Sequence, residues 1–106
     1  MAQNMYTYTQ LSEFSISIFN KMGCSADQAQ LATRVLLRAD LRGIDSHGVA
    51  RLSGYVRLWE AGRINSKPNI QVVHETMSTA VVDGDQGLGL VVAPAAMRIA
   101  MEKAKM

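Results

Sequence analysis

The sequence has very little of what marks secreted, metal-thiolate or membrane proteins. It contains one cysteine, Cys24, among 106 residues, which excludes an internal disulfide and a multi-thiolate metal site within this chain. Its longest run without a polar residue, Leu88 to Met97, falls well short of the ~20 residues that a membrane-spanning helix needs. The N-terminus shows no basic segment followed by an apolar one, so no signal peptide is expected. We therefore expect a soluble, cytoplasmic protein with no membrane partner.

The sequence also lacks a strong charge of either sign. Its 11 Lys and Arg and 9 Asp and Glu leave a formal charge of +2, which is too weak to indicate nucleic acid or an anionic membrane as a partner. Apolar residues make up 48% of the chain, an ordinary value for a globular protein that argues against disorder. The length suits one small domain.

Residues 1–62 show the apolar spacing of three consecutive helices joined by short connections. Glycine favours a helix end because it takes the left-handed conformation easily, and Ser or Thr favours a helix start because its hydroxyl accepts a free amide N–H. The predicted limits are Thr9 to Gly23 for the first helix and Ser25 to Gly43 for the second, with residues 1–8 as an N-terminal arm.

The third helix is predicted over residues 47–61, with Ser46 as its N-cap. At ~100° per residue, His47, Arg51 and Tyr55 would share one face. The apolar side chains would form a second, buried stripe; these are Val49, Leu52, Val56 and Trp59. The polar face would then combine a group that titrates near neutral pH, a cation shaped for a carboxylate, and a phenol.

The pattern changes in residues 63–106. The segment 63–69 resembles a linker, and two β-branched runs at 70–74 and 79–83 predict short strands that form a hairpin. The chain from Leu88 to about Lys105 is rich in Ala and Met and predicts a helix. Pro94 lies inside it, so this helix could instead begin near Pro94.

These elements predict an α+β fold, in which a three-helix N-terminal layer is followed by a short strand pair and a helix. Two short strands rarely make a stable sheet alone. We therefore expect the chain to be the front of a larger fold or one piece of a cleaved or split protein, although the helices could also cover the hairpin in a small α+β domain. The predicted division is residues 1–62 and 63–106.

The residue spacing argues against two other kinds of site, a hydrolase triad and a phosphate-binding glycine loop. The run Asp45-Ser46-His47 holds the residue types of a hydrolase triad, but adjacent side chains diverge whereas a triad needs its histidine between the other two. The glycine-rich run 84–89 has neither the dinucleotide-binding spacing nor a P-loop lysine, so it indicates a turn. No histidine, cysteine or carboxylate set has metal-ligand spacing, so no metal is expected.

A nucleic-acid-binding module is an alternative. The second helix, its turn and the third helix resemble a helix-turn-helix, with Arg51, Arg57 and Arg63 available for phosphates. Against this interpretation stand the low net charge and the burial of Trp59 on the helix that would read the bases. A further basic row on the second helix more often forms a solvated face.

The run Ala39-Asp40-Leu41-Arg42-Gly43-Ile44-Asp45-Ser46-His47-Gly48-Val49-Ala50-Arg51-Leu52, with Tyr55 after it, resembles the signature of the malate/L-lactate dehydrogenase family. This family includes ureidoglycolate, sulfolactate and diketogulonate dehydrogenases. The segment Val82-Asp83-Gly84-Asp85-Gln86-Gly87-Leu88-Gly89 resembles it as well. The likeness spans nearly the whole chain and corresponds to roughly the first third of a typical member.

The resemblance implies an oxidoreductase that moves hydride between NAD or NADP and a small 2-oxo or 2-hydroxy acid. It implies a larger mixed-sheet domain that is not a Rossmann fold, of which residues 63–106 would be the start, and homodimers with sites near the subunit interface. His47 matches the family's proton donor, and Ser46, Arg51 and Tyr55 match residues around the substrate. In members of this family, most segments that hold the cofactor, and a second histidine, come later in the sequence than the part that this chain matches. The cofactor-binding residues are therefore not assigned. The remainder of the polypeptide or a second chain is an expected partner.

The chemistry of carbonyl reduction agrees with this assignment. Hydride addition to a ketone carbon builds negative charge on the oxygen, which a protonated His47 would neutralise. Arg51, one turn further on, could hold the adjacent carboxylate with two hydrogen bonds. Ser46 or Tyr55 could add a hydrogen bond to either group of the acid.

Overall fold

The computed structural model describes residues 4–106, which form a layer of helices and an antiparallel strand pair. The elements are α1 (Tyr8–Lys21), α2 (Ala26–Leu41), α3 (Leu52–Glu60), β1 (Gln71–Glu75), β2 (Ala80–Asp83) and α4 (Gly89–Ala104). Two single 3-10 turns, Asp45–His47 and Val49–Arg51, connect α2 to α3. The predicted α+β class is confirmed, and the division at residues 62 and 63 stays a prediction.

Helix α1 begins earlier than the apolar pattern predicts. Its N-cap is Thr7, whose hydroxyl accepts from the Gln10 N–H at 3.1 Å while the Gln10 side chain accepts from the Thr7 N–H at 2.9 Å. The prediction of Thr9 as the cap is wrong because only Thr7 has a glutamine three residues later to complete this reciprocal pair. Of the predicted arm, residues 1–3 lie outside the described residues and Tyr8 is helical.

Helix α2 begins and ends where the sequence predicts. The Ser25 hydroxyl accepts from the Gln28 N–H at 3.2 Å. At the other end Gly43 has φ +77, and the Ile44 N–H donates back to the Ala39 carbonyl at 2.8 Å. This pattern satisfies carbonyls that the helix end would otherwise leave free, and it needs the left-handed conformation that glycine adopts without steric cost.

The third helix is shorter than predicted. It starts at Leu52, and the predicted start at His47 is wrong because Gly48 (φ −97, ψ −139) interrupts the helical path. Ser46 makes no capping hydrogen bond, so its predicted role as the N-cap is also wrong. The N–H of Val49 donates to the Asp40 carboxylate at 2.8 Å, which gives this peptide a side-chain partner on α2.

The predicted hairpin and last helix are both present. Strands β1 and β2 pair antiparallel from Gln71 opposite Asp83 to Glu75 opposite Ala80, with a register shift between Val72 and His74. Helix α4 runs through Pro94 without ending. Its C-terminal part contacts the hairpin, because the Lys103 ammonium lies 3.0 Å from the Glu75 carboxylate.

The predicted linker, residues 63–69, is held against the turn that precedes α4. The Asn65 N–H donates to the Gln86 carbonyl at 2.9 Å. The Asp85 carboxylate accepts from the Asn65 side-chain amide at 3.0 Å and from the Asn69 N–H at 2.8 Å. The segment therefore joins the helical layer to the rest of the described chain through specific contacts.

The core lies where α1 and α2 pack together and meet the start of α4. Its buried side chains are Phe19, Met22, Cys24, Ala29, Ala32, Leu36, Leu52, Leu88 and Val91. Burial of these apolar surfaces is the main source of stability for such a layer. Among the helices of residues 4–106, none combines the length and the apolar character that crossing a membrane requires.

Candidate active site

Three of the four predicted site residues, His47, Arg51 and Tyr55, line one open depression beside the two 3-10 turns, whereas Ser46 lies outside its lining. His47, Arg51, Gly54, Tyr55 and Leu58 line this depression, whose volume is about 250 Å³. The predicted geometry of one continuous helical face is wrong, since α3 begins only at Leu52. The 3-10 turns nevertheless bring His47 and Arg51 to the same opening as Tyr55.

Two hydrogen bonds connect the polar members of the site through Ser46. The Ser46 hydroxyl lies 2.8 Å from His47 Nδ1, and the Ser46 backbone carbonyl accepts from Arg51 Nε at 2.8 Å. One ring nitrogen and one guanidinium nitrogen are thus engaged by the protein. His47 Nε2 and the two Arg51 Nη groups have no protein hydrogen-bond partner in the described part of the chain, so they are available to a ligand.

The site is open to solvent. Ser46, His47 and Arg51 are exposed, and Tyr55 is half-buried against the core. The exposed positions give water and a small solute direct access, while the packed tyrosine fixes one wall. An exposed arginine with free Nη groups suits an anionic ligand, because a guanidinium matches the two oxygens of a carboxylate.

The size of the depression suits a small acid and not a dinucleotide. Pockets that enclose drug-sized ligands measure ~300–1,000 Å³, and this open depression of about 250 Å³ is smaller. At this depression the described residues therefore offer room for a small acid and not for a whole dinucleotide. They also hold no group of three or more His, Cys, Asp or Glu side chains placed to bind a metal ion.

Cys24, the one cysteine of the chain, does not belong to the site. It is 8% exposed and lies in the hydrophobic core. Burial raises the pKa of its thiol, an effect that its backbone hydrogen bond partly opposes. A buried neutral thiol is a poor nucleophile.

The sequence analysis did not predict which residues support the two 3-10 turns of the site. Asp40 supports the loop from α2 by accepting the Val49 N–H, and Gly48 is buried against it. One signal was available, because an acidic residue in the last turn of a helix is disfavoured by the helix dipole. An aspartate at that position therefore indicates a partner outside the helix.

The chain resembles known dehydrogenases over nearly its whole length. The sequence pattern of the family described as malate/L-lactate dehydrogenase matches residues 6–106. The L-sulfolactate dehydrogenase of Methanocaldococcus jannaschii is 43% identical over 90 residues, which cover 85% of this chain and 26% of that protein. The malate dehydrogenase of Pyrococcus abyssi is 43% identical over 96 residues, covering 91% of this chain and 26% of that protein.

The fold agrees with a solved structure of the same group. The structure of sulfolactate dehydrogenase from Methanocaldococcus jannaschii superimposes with a TM-score of 0.91 at 39% identity, covering 93% of this chain and 29% of that one. The chain thus spans about a quarter of the length of the curated relatives it matches. These comparisons give no support to the nucleic-acid-binding alternative.

Proposed function

Because the chain belongs to the malate/L-lactate dehydrogenase family, we propose that it carries the proton-donating and carboxylate-binding residues of a dehydrogenase that acts on small 2-hydroxy acids. The observation that supports this most directly is the shared depression of His47 and Arg51, in which both side chains contact Ser46. When bound, NAD or NADP supplies or accepts the hydride.

His47 is the proposed acid. Its Nδ1 is engaged by the Ser46 hydroxyl at 2.8 Å, so Nε2 is the nitrogen left to face the substrate oxygen. In reduction, the Nε2–H bond breaks as an O–H bond forms at the former carbonyl, and the ring becomes neutral. The Ser46 hydroxyl can accept from Nδ1–H before this transfer and keeps the ring oriented throughout.

Arg51 is the proposed carboxylate ligand. Its Nε is already donating to the Ser46 carbonyl, so the side of the guanidinium that contains Nε is occupied. The two Nη groups remain, and they can donate in parallel to the two oxygens of a carboxylate. In a 2-oxo acid the carboxylate and ketone are on adjacent carbons, so Arg51 would fix the ketone oxygen near His47. Tyr55, which lines the same depression, would donate a further hydrogen bond.

The proposed substrate is a small 2-oxo or 2-hydroxy acid. The relatives are named for malate and sulfolactate, and each of these acids has the carboxylate that Arg51 would bind. We also propose that the protein works in the cytoplasm as a homodimer, with the remainder of its polypeptide or a second chain supplying the cofactor site. Light scattering of the purified protein tests the dimer, and a panel of oxo acids with NADH and with NADPH tests the substrate and cofactor.

The decisive variant is His47→Ala in the complete protein. Loss of a general acid typically lowers turnover ~10²–10⁴-fold, so we expect kcat to fall by at least about 100-fold with the preferred oxo acid. His74→Ala is the matched control, because His74 is the other histidine of the chain and is exposed on β1. We expect that control to keep kcat within about twofold. A His47→Ala protein with near-normal turnover would refute the proposed role.

A further inference from the structure

We propose that Asp40 is a positioning residue that locks the turn carrying His47, so that the dehydrogenase reaction depends on a side chain outside the depression. The inference rests on the proposed function of His47. Asp40 lies in the last turn of α2, whereas His47 lies in the first 3-10 turn after it. The link between them is the Gly48–Val49 peptide.

This peptide is held on both sides. The Val49 N–H donates to Asp40 Oδ2 at 2.8 Å in a half-buried position. The Gly48 carbonyl accepts from the Arg51 N–H at 2.9 Å. The peptide next to His47 is therefore fixed by one contact to α2 and one to the turn that carries Arg51, and its orientation sets the relation between the two proposed catalytic residues.

The fit between Asp40 and Gly48 is close. A Cβ built on Gly48 would overlap the Asp40 carboxylate, and its three nearest atoms are all from that carboxylate. Gly48 is buried, so a side chain there could not turn toward solvent. The glycine therefore allows the carboxylate to lie directly over the backbone that it holds.

The position of Asp40 in α2 is electrostatically unfavourable for the helix, and its hydrogen bond to Val49 offsets this. A carboxylate at a helix C-terminus faces the negative end of the helix dipole, which disfavours it. A charged acceptor for a half-buried N–H offsets this cost, because hydrogen bonds to charged groups are stronger than neutral ones. The second 3-10 turn has no capping hydrogen bond from its own N-cap residue, so Asp40 serves as a remote cap for its first N–H group.

The test compares Asp40→Ala, Asp40→Asn and the control Asp45→Ala in the complete protein. Asp45 lies in the same loop and is exposed, and its side chain has no hydrogen bond among residues 4–106. We expect Asp40→Ala to lower kcat by about 10- to 100-fold. Asp40→Asn should stay within about fivefold of wild type, because its amide oxygen can still accept the Val49 N–H. Asp45→Ala should be unchanged.

Two further measurements separate positioning from a general loss of structure. Hydrogen–deuterium exchange over residues 44–51 should become faster in Asp40→Ala, while exchange in α1 stays as in wild type. The solvent deuterium isotope effect on kcat should increase, because misplacing His47 makes proton transfer more rate-limiting. A smaller folded fraction alone would change neither the isotope effect nor the local pattern of exchange.

A double variant tests the contact itself. Gly48→Ala should impair kcat at least as much as Asp40→Ala, since its methyl group displaces the carboxylate. In the Asp40→Ala background the same methyl has no carboxylate to displace, so the double variant should turn over at about the rate of Asp40→Ala alone. Strictly multiplicative losses would overturn the proposed contact.

The outcomes distinguish this inference from the proposed function. If His47→Ala loses turnover but Asp40→Ala does not, the inference is wrong and the role of His47 stands. If Asp40→Asn is as impaired as Asp40→Ala, the hydrogen bond to Val49 is not what the site requires, and the inference is again wrong. If His47→Ala keeps its turnover, the proposed function and this inference both fail.

Discussion

The Nε–H of Arg51 donates a 2.8 Å hydrogen bond to the backbone carbonyl of Ser46, the residue that also contacts the ring of His47. The proposed carboxylate ligand therefore helps to hold the turn that carries the proposed acid. A change at Arg51 should affect both substrate binding and the placement of His47. A lysine has a single ammonium group, so it cannot bind the carboxylate and the Ser46 carbonyl in the way that the Nη and Nε groups of arginine do.

We predict that Arg51→Lys raises the KM for the oxo acid by about 10- to 100-fold and also lowers kcat. Hydrogen bonds to charged groups contribute ~1.5–3 kcal/mol, and lysine keeps the charge but loses both the paired Nη donors and the Nε contact. Steady-state kinetics measure the two parameters separately. Arg57→Lys is the control, because Arg57 is exposed on α3 and outside the depression. An unchanged KM in Arg51→Lys would contradict the carboxylate assignment.

Gly43 and Gly54 should respond to alanine in opposite directions. Gly43 has φ +77 and open space around it, so Gly43→Ala should lower the free energy of unfolding by ~1–2 kcal/mol through backbone conformation alone. Gly54 lies inside α3, also with open space, so Gly54→Ala should raise it by ~0.5–1 kcal/mol. Urea unfolding of the two variants measures both values. A stabilising Gly43→Ala would exclude the left-handed helix end.

Alanine substitutions at Ser15 and Ser25 should have different effects on the free energy of unfolding. Ser15 is fully buried in α1, and its hydroxyl has no hydrogen-bond partner among the residues that the structure describes. Removing an unsatisfied buried hydroxyl should be neutral or should stabilise by up to ~1 kcal/mol. Ser25→Ala should instead cost ~1 kcal/mol, because it removes the N-cap hydrogen bond of α2. Thermal and urea unfolding compare the two. A large loss in Ser15→Ala would mean that its hydroxyl has a partner.

Cys24 should react slowly with thiol reagents in the folded protein. Burial both shields the sulfur and raises its pKa above the ordinary 9.0, and only the thiolate reacts well. We expect labelling at about pH 8 to be at least ~10-fold slower than in denaturant. With a chromogenic disulfide reagent, the absorbance of the thiolate that it releases measures the rate. Equal rates in both conditions would show that the thiol is accessible.

The same raised pKa predicts a pH effect on stability. The unfolded thiol loses its proton near 9.0, whereas the folded thiol keeps its proton to a higher pH. The stabilising contribution of the neutral buried thiol is therefore complete below that value and is lost as the pH rises through the folded pKa. Cys24→Ala should lose less stability than wild type over this alkaline range in urea unfolding. Parallel losses in the two proteins would contradict the assignment.

Local signals in the sequence predicted most element types. The Ser25 cap and the Gly43 end join residues only a few positions apart, and the hairpin pairs two strands that are consecutive in the chain and joined by a short turn. The cap of α1 was misplaced by two residues because two threonines were available, and the side chain of Gln10 decided between them. The apolar pattern alone does not distinguish two cap candidates that lie two residues apart, whereas the hydrogen bonds in the structure do.

The sequence predicted the residues of the candidate site, but it did not predict their geometry. Four-residue spacing predicted a common helical face for His47, Arg51 and Tyr55, whereas the structure breaks the helix at Gly48 and starts it at Leu52. The same residues still line one depression because the 3-10 turns fold against α2. Asp40 contacts Val49 across nine positions; its place in the last turn of α2 indicates a partner, but no local pattern identifies that partner as Val49.

The sequence by itself determined the family, the alternation of helices and strands, and the residue types of the proposed chemistry, because each of these depends on local order along the chain. The tertiary structure decided where the third helix begins, which nitrogen of His47 is free, and that residues 63–69 are fastened to the turn before α4. These features depend on contacts between residues distant in sequence or on the direction of single hydrogen bonds. Periodicity and composition contain neither kind of information.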